Sequence, residues 1–238
     1  MFRTRKEDGM NLKSKYLLSK FLTFLAYFFL ILWAFLCLFP LYWMIKNSFE
    51  PNKLIDLWPP AVLPMWGRLT LENYSSLLVK FPLIRWFSNS LAMSLVRTAG
   101  AVFFGTLAGY SFAKLRFWGS NVIFWMLMPV IMIPGMILIV PQYQLIRSFG
   151  WIDTYAALFI PGLTGGVWAM FLMRQFMQTI PTELIESARM DGATEFGIFL
   201  RIIIPMAVPG MAVLGIFSFI GNWNSFLYPL IVTTEKMM

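Results

Sequence analysis

This sequence predicts an all-α polytopic membrane protein on three observations: its composition, the length of its uncharged runs, and the absence of acidic residues inside them. Of 238 residues, 59% are hydrophobic and 13% charged, with a mean hydropathy of +0.70; a soluble domain carries charge on about a quarter of its residues. Residues 21–45, "FLTFLAYFFLILWAFLCLFPLYWMI", form 25 uncharged positions between Lys20 and Lys46. As a helix that run reaches roughly 37 Å, enough to cross a hydrocarbon core of about 30 Å with tilt. Apolar runs near 86–113, 121–146, 157–173 and 210–232 raise the number of crossings to five, and none of the five contains Asp or Glu.

The first run is too long for the apolar core of a signal peptide and no small-residue cleavage site follows it, so it is expected to be retained. Basic residues set the orientation. Arg3, Arg5, Lys6, Lys13, Lys15 and Lys20 precede the first run, Lys114 and Arg116 lie between the second and third, and only Arg147 lies between the third and fourth. This places the N-terminus in the cytoplasm. Counting crossings, residues 46–85 are extracytoplasmic, 174–209 cytoplasmic and the final "TTEKMM" outside. In the outer segment, "LWPPAVLPMW" offers Trp58 and Trp66 as interfacial anchors.

Within the second run, Ala101, Gly105, Gly109 and Ala113 recur at a spacing of four, which clears one helix face for close approach of another helix. Arg97 stands one turn above that stripe, roughly 9 Å below the outer surface if the helix enters the core near Leu91. Snorkelling to the interface accommodates it; contact with anionic or polar cargo is the alternative. Pro129, Pro134-Gly135, Pro141, Pro161-Gly162 and Gly165-Gly166 interrupt the third and fourth runs. Broken backbone at that depth is tolerated where protein or a wet cavity satisfies the freed groups, which favours a transport pathway, though Pro kinks alone also account for it.

Several functions are excluded or disfavoured. The 19 basic residues against 11 acidic ones do not form an aromatic-interleaved platform, so nucleic acid is not the expected partner. A lone Cys37 leaves no intrachain disulfide, and the absence of His removes His-based acid–base chemistry and His metal ligation. No catalytic or metal-binding residue is expected. Without carboxylates in the apolar runs a secondary solute carrier is disfavoured, and without a GxxxxGK[ST] loop the chain does not cleave nucleotide by that route. Uphill transport therefore needs energy from another subunit.

Residues 174–209 carry Glu183, Glu186, Asp191 and Glu195 around Gly192. Pro181 and Thr182 start a short helix with Glu183 and Glu186 in its first turn, where the backbone dipole favours acids. Leu184, Ile185 and Ala188 give it a narrow apolar face, and Asp191-Gly192 ends it. A second helix starts near Thr194, carries Phe196, Phe199, Leu200 and Ile203 on one face, and stops before Pro205. Such a hairpin can transmit force into the next crossing; an interfacial hairpin with solvated acids satisfies the same pattern.

Glu186, Ala188, Asp191, Gly192, Ala193 and Pro205 fall on E-A-A-x-x-D-G-A followed by a Pro after an apolar run. This resembles the EAA loop of permease subunits in ATP-driven, binding-protein-dependent importers. "LFPLYWMIKNSFEPN", "NSLAMS", "AGYSFAKLRF", "RSFGWIDTYAALFIPG" and "FSFIGNWNSFLYPLIVTT" extend the resemblance to maltose-type sugar permeases, specifically the maltose-G-like member of the pair. Ser187 stands where the motif has a second Ala, and Ile204 where Leu usually precedes Pro205. The resemblance implies one permease domain over 1–238, partnered by a paralogous permease, two ATPase subunits and an extracytoplasmic solute-binding protein in the bacterial inner membrane. It implies ATP and Mg in the ATPase subunits and no cofactor on this chain. It also implies that Glu183, Glu186, Ser187, Ala188, Asp191, Gly192 and Ala193 form the coupling contact, Glu186 meeting basic residues of the ATPase. Family members continue through a sixth helix, so the sequence is expected to be cut short after Met238.

Asn222, Trp223 and Asn224 place two amides and an aromatic in the fifth run, a combination suited to a sugar's C–H faces and hydroxyls. Bonding to neighbouring helices is the alternative use of those amides. The expected function is half of a translocation pathway for a carbohydrate or related polyol, against the alternatives of a secondary carrier or structural membrane subunit. The identity of the sugar is not encoded in these contacts.

Overall fold

The computed structural model describes residues 4–55, 58–115 and 117–234, with side chains from residue 14 onward. Arg3, Arg116, the last four residues of "TTEKMM" and the side chains of Arg5, Lys6 and Lys13 lie outside the described residues. The chain divides into two compact units, Met1–Leu83 and Ile84–Met238.

In the first unit, α1 (Thr4–Ser48) is one continuous helix, of which Ser14–Ser48 is long and apolar enough to span a membrane. Its Leu-, Phe- and Ala-rich run is apolar all round, as a lipid-facing helix requires. Beyond it come α2 (Asn52–Ile55), a 3-10 turn at Trp66–Arg68 and α3 (Glu72–Lys80). This segment folds back on the end of α1 around a buried ion pair. Lys46 Nζ lies 2.8 Å from Glu50 Oε2, and the Met65 amide donates to Glu50 Oε1 at 3.2 Å. Asn73 Nδ2 donates to the carbonyls of Ser48 and Glu50, and Tyr42 donates to the Val62 carbonyl at 2.7 Å. Trp58 and Trp66 remain exposed.

Hydrogen bonding from Lys46, beyond the opposing effect of burial, holds the Glu50 carboxyl below the usual carboxylate range, with the Met65 amide helping. A depressed folded value means that this stabilisation is complete above the unfolded value of about 4.3 and is lost as pH falls through the folded value. Glu50→Ala strands Lys46 as an uncompensated buried charge and is expected to cost this unit ~3 kcal/mol. Faster hydrogen exchange across residues 49–76 at neutral pH checks it; unchanged protection would show that the pair does not hold the segment.

In the second unit, α4 (Leu83–Lys114) is the central helix. After it come α5 (Ser120–Met132), a 3-10 turn at Gly135–Leu138, α6 (Ile139–Ser148), α7 (Tyr155–Phe159), a 3-10 turn at Ile160–Gly162 and α8 (Gly166–Gln178). The short α9 (Glu183–Met190) and α10 (Glu195–Ile198) lead through a π turn at Phe199–Ile203 into α11 (Ile204–Trp223), and α12 (Leu227–Val232) closes the unit.

The small-residue stripe of α4 is the seam against α8. A Cβ on Gly105 would lie 2.9 Å from the Ala169 Cβ, one on Gly109 2.6 Å from the Met173 Cβ, and one on Gly165 2.7 Å from the Ala101 Cβ. Partners advance together along both chains, so α4 and α8 run in the same direction. One buried cluster joins Met93 of α4 to Ile146, Ala157, Leu158 and Val232; the other joins Tyr110 to Met177, Ile185, Phe199 and Ile203. Helix α11 thus runs opposite to α4, and residues 115–154 carry the chain once from the second cluster to the first. Although Ser120–Met132 and Gly135–Ser148 meet at 94°, the pair makes one net traversal. With α1, α4, Tyr155–Gln178 and Glu195–Trp223, five candidate crossings result.

The last crossing differs from the sequence expectation. It runs over Glu195–Trp223 rather than 210–232, and the helix starting at Thr194 continues through Pro205 instead of stopping before it. Proline has no N–H and its ring crowds the carbonyl four residues back. The π turn immediately before Pro205 widens the helix there and lets it proceed.

Candidate functional site

Two features can carry function, and one helix joins them. The first is the α9–α10 hairpin. Gly192 takes φ +80°, the Gly192 amide donates to the Arg189 carbonyl and the Ala193 amide to the Ala188 carbonyl, both at 3.0 Å. This pairing closes the end of α9 and satisfies its last carbonyls. Thr194 starts the second arm, its hydroxyl accepting from the Gly197 amide at 3.2 Å.

The apolar faces of the hairpin differ in detail from those expected. Ile185 is buried and Ala188 half-buried, but Leu184 is exposed; Ile198, Phe199 and Ile203 point inward while Phe196 and Leu200 face out. The π turn shifts the register of the inward face, which regular helical spacing did not anticipate. Glu183, Glu186, Ser187, Asp191, Gly192 and Ala193 are all exposed. Glu195 is used internally: Arg189 Nε lies 2.6 Å from its Oε1, and Tyr110 donates to its Oε2 at 3.1 Å.

Residues outside the motif anchor the hairpin to the bundle. Lys114 donates to the Ile180 carbonyl and the Thr182 hydroxyl, and the Tyr110 ring lies 5.6 Å from that of Phe199. Arg174 donates to the Phe112 carbonyl at 3.3 Å and sits over the Phe124 ring at 3.9 Å. In the sequence Lys114 reads only as a topological charge; a lone Lys at a helix end beside the C-terminus of another was the signal available.

The second feature lies toward the other end of the unit. A cavity of about 300 Å³ is lined by Trp86, Asn89, Asn222, Trp223, Ser225 and Phe226 among others. Trp223 stacks on Phe219 at 5.8 Å and meets Phe87 edge-on at 5.5 Å, which fixes its ring. Asn222 also lines a neighbouring hollow with Ala101, Gly162, Gly165, Trp168 and Phe217. Arg97 is turned into the bundle rather than toward the surface: it is 7% exposed and its Nη1 donates to Asn222 Oδ1 at 3.2 Å. Snorkelling fails because Gly162 leaves room for the guanidinium beside it, and Asn222 and the Tyr228 ring receive it there. Arg97 thus reaches the cavity through Asn222, which lines it together with Trp223, whereas Asn224 caps the end of α11; neither Arg97 nor Asn224 itself lines either hollow.

Among the described residues, the second unit is a helical bundle in which an exposed hairpin and an aromatic cavity edged by amides stand at the two ends of one helix. Residues 101–238 match the family described as binding-protein-dependent transport system inner membrane component. Over 212 residues the chain is 34% identical to the arabinooligosaccharides transport system permease protein AraQ of Halalkalibacterium halodurans, covering 86% of this chain and 74% of that one. It is 32% identical over 220 residues to the sn-glycerol-3-phosphate transport system permease protein UgpE of Escherichia coli K12, covering 90% and 77%. Its fold matches a chain in the crystal structure of a bacterial ABC transporter involved in the import of the acidic polysaccharide alginate, with a TM-score of 0.76 and 20% identity over 100% of this chain and 79% of that one. The chain belongs to the binding-protein-dependent transport system inner membrane component family, as a multi-pass inner-membrane permease. These relatives are transport permeases rather than enzymes.

Proposed function

We propose that this chain forms half of the translocation pathway of an ATP-driven importer for a carbohydrate or related polyol, paired with a paralogous permease, two ATPase subunits and an extracytoplasmic solute-binding protein. ATP and Mg belong to the ATPases, which do the hydrolysis. The N-terminus and the α9–α10 hairpin face the cytoplasm, and the hairpin is the coupling element. One observation carries this reading: the second arm of the hairpin is continuous with α11, so a helix of 29 residues connects Glu195 to the Asn222–Trp223 wall of the cavity. At 1.5 Å per residue it is a lever of roughly 43 Å. A tilt imposed at the hairpin travels along this helix to the cavity, because Leu214 packs it against Gly105 of α4 and Gly210 packs it against Phe176 of α8. The cavity suits sugar cargo because it sets a fixed aromatic face beside amide groups, and the named cargo of AraQ and UgpE is a saccharide or polyol derivative.

Glu186→Arg tests the coupling. Its carboxylate is exposed, so membrane insertion is expected to match wild type. Uptake into proteoliposomes is expected to fall at least about a hundredfold, the scale of replacing a charge-assisted contact by like-charge repulsion. Uptake at the wild-type rate would refute hairpin docking.

A further inference from the structure

Among the described residues, the bundle holds a cation without a counterion. Arg97 has two visible partners, the Asn222 amide oxygen and the Tyr228 ring at 5.5 Å, and its Nε has none; the nearby Ser94 and Thr98 hydroxyls are also unpartnered. Among the described residues, ion pairs form at Lys46–Glu50 and Arg189–Glu195, and no carboxylate reaches Arg97. A buried, unpaired charge is costly, and an arriving anion recovers that cost.

The surrounding geometry directs where such an anion sits. The guanidinium lies against Gly162, where a Cβ would collide with it. Gly162 and Asn222 both line the hollow on the far side, and Asn222 also lines the aromatic cavity. Because guanidinium nitrogens only donate, Asn222 must turn its oxygen to Arg97. Its NH2 group then faces the Ser218 carbonyl, to which it donates at 2.8 Å, with one N–H left over. The wall therefore offers the remaining Asn222 N–H as a donor beside a positive charge, while the Asn222 amide oxygen is turned toward Arg97.

The geometry points to Arg97 as the residue that makes this pathway select saccharides bearing an anionic group, a carboxylate or a phosphate, over neutral ones. This rests on the cavity being the cargo path. Arg97 sets the charge of the wall and the orientation of Asn222, which makes the contact.

The test measures affinity by equilibrium dialysis on the complete importer in nanodiscs. Its probes are trigalacturonate against its carboxyl-reduced neutral counterpart, and glucose 1-phosphate against glucose. The expected result is an anion preference of at least about tenfold in either pair, the scale of one hydrogen bond to a charged group. Arg97→Gln removes the charge and should bring the preference to about one. Asn222→Asp supplies Arg97 with an internal carboxylate and should erase the preference although Arg97 remains; Arg97→Lys should retain it. Trp223→Ala should weaken all probes alike. If Trp223→Ala has that effect but the preference is absent, or survives both Arg97→Gln and Asn222→Asp, selection by Arg97 is wrong and the cargo path stands. If Trp223→Ala changes no affinity, the cargo path itself is wrong.

Discussion

Gly192→Pro is expected to abolish uptake while the chain still inserts into the membrane. Gly192 holds φ +80°, and proline is confined near −65°, so the turn between the hairpin arms cannot form. Proline also removes the amide that donates to the Arg189 carbonyl. The local cost is about 3 kcal/mol, which is enough to melt a hairpin held by few buried side chains. Nothing lies within 4 Å of a Cβ built on Gly192, so Gly192→Ala meets only the left-handed backbone penalty of about 1–2 kcal/mol and should reduce uptake partially. Reconstituted uptake with ATP turnover in parallel reads both variants. Normal uptake by the proline variant would show that the turn is not needed for coupling.

The second large effect lies at the seam. Gly109→Leu should prevent recovery of the assembled permease, because a Cβ there would lie 2.6 Å from the Met173 Cβ and 2.8 Å from the Arg174 backbone nitrogen. Backbone cannot rotate away as a flexible side chain can, so α4 and α8 must separate. Overpacking of this kind costs about 3 kcal/mol or more. Separation would also pull Arg174 from the Phe112 carbonyl and Lys114 from the Ile180 carbonyl, and so release the hairpin. The yield of monodisperse complex on gel filtration measures the effect, with Gly109→Ala as an intermediate. Wild-type yield from Gly109→Leu would mean that the seam does not hold the bundle together.

Much of this molecule was legible before any coordinates. The long apolar helices follow from uncharged length, and the seam from a four-residue spacing that matches the helical repeat. The glycine turn and Thr194 as the start of the second arm follow from local backbone chemistry, which few neighbours can override. What escaped was set by partners distant in sequence. Phe196 and Leu200 point outward because a π turn ahead of Pro205 shifts the inward face to Ile198, Phe199 and Ile203. The final apolar helix reaches back to Glu195 because the π turn carries it past Pro205, which hydropathy cannot register.

The sequence by itself determined a greasy all-helical body, its crossings, its close-packed stripe and its acidic hairpin, because these depend on composition and on spacing along one chain. Only the tertiary structure decided that Arg97 turns inward to Asn222, that Asn224 stands apart from the cavity, and that one continuous helix unites hairpin and cavity. Those outcomes depend on which groups meet across 125 residues of chain, as Arg97 and Asn222 do. A side chain with two acceptable environments takes the one its folded neighbours leave open.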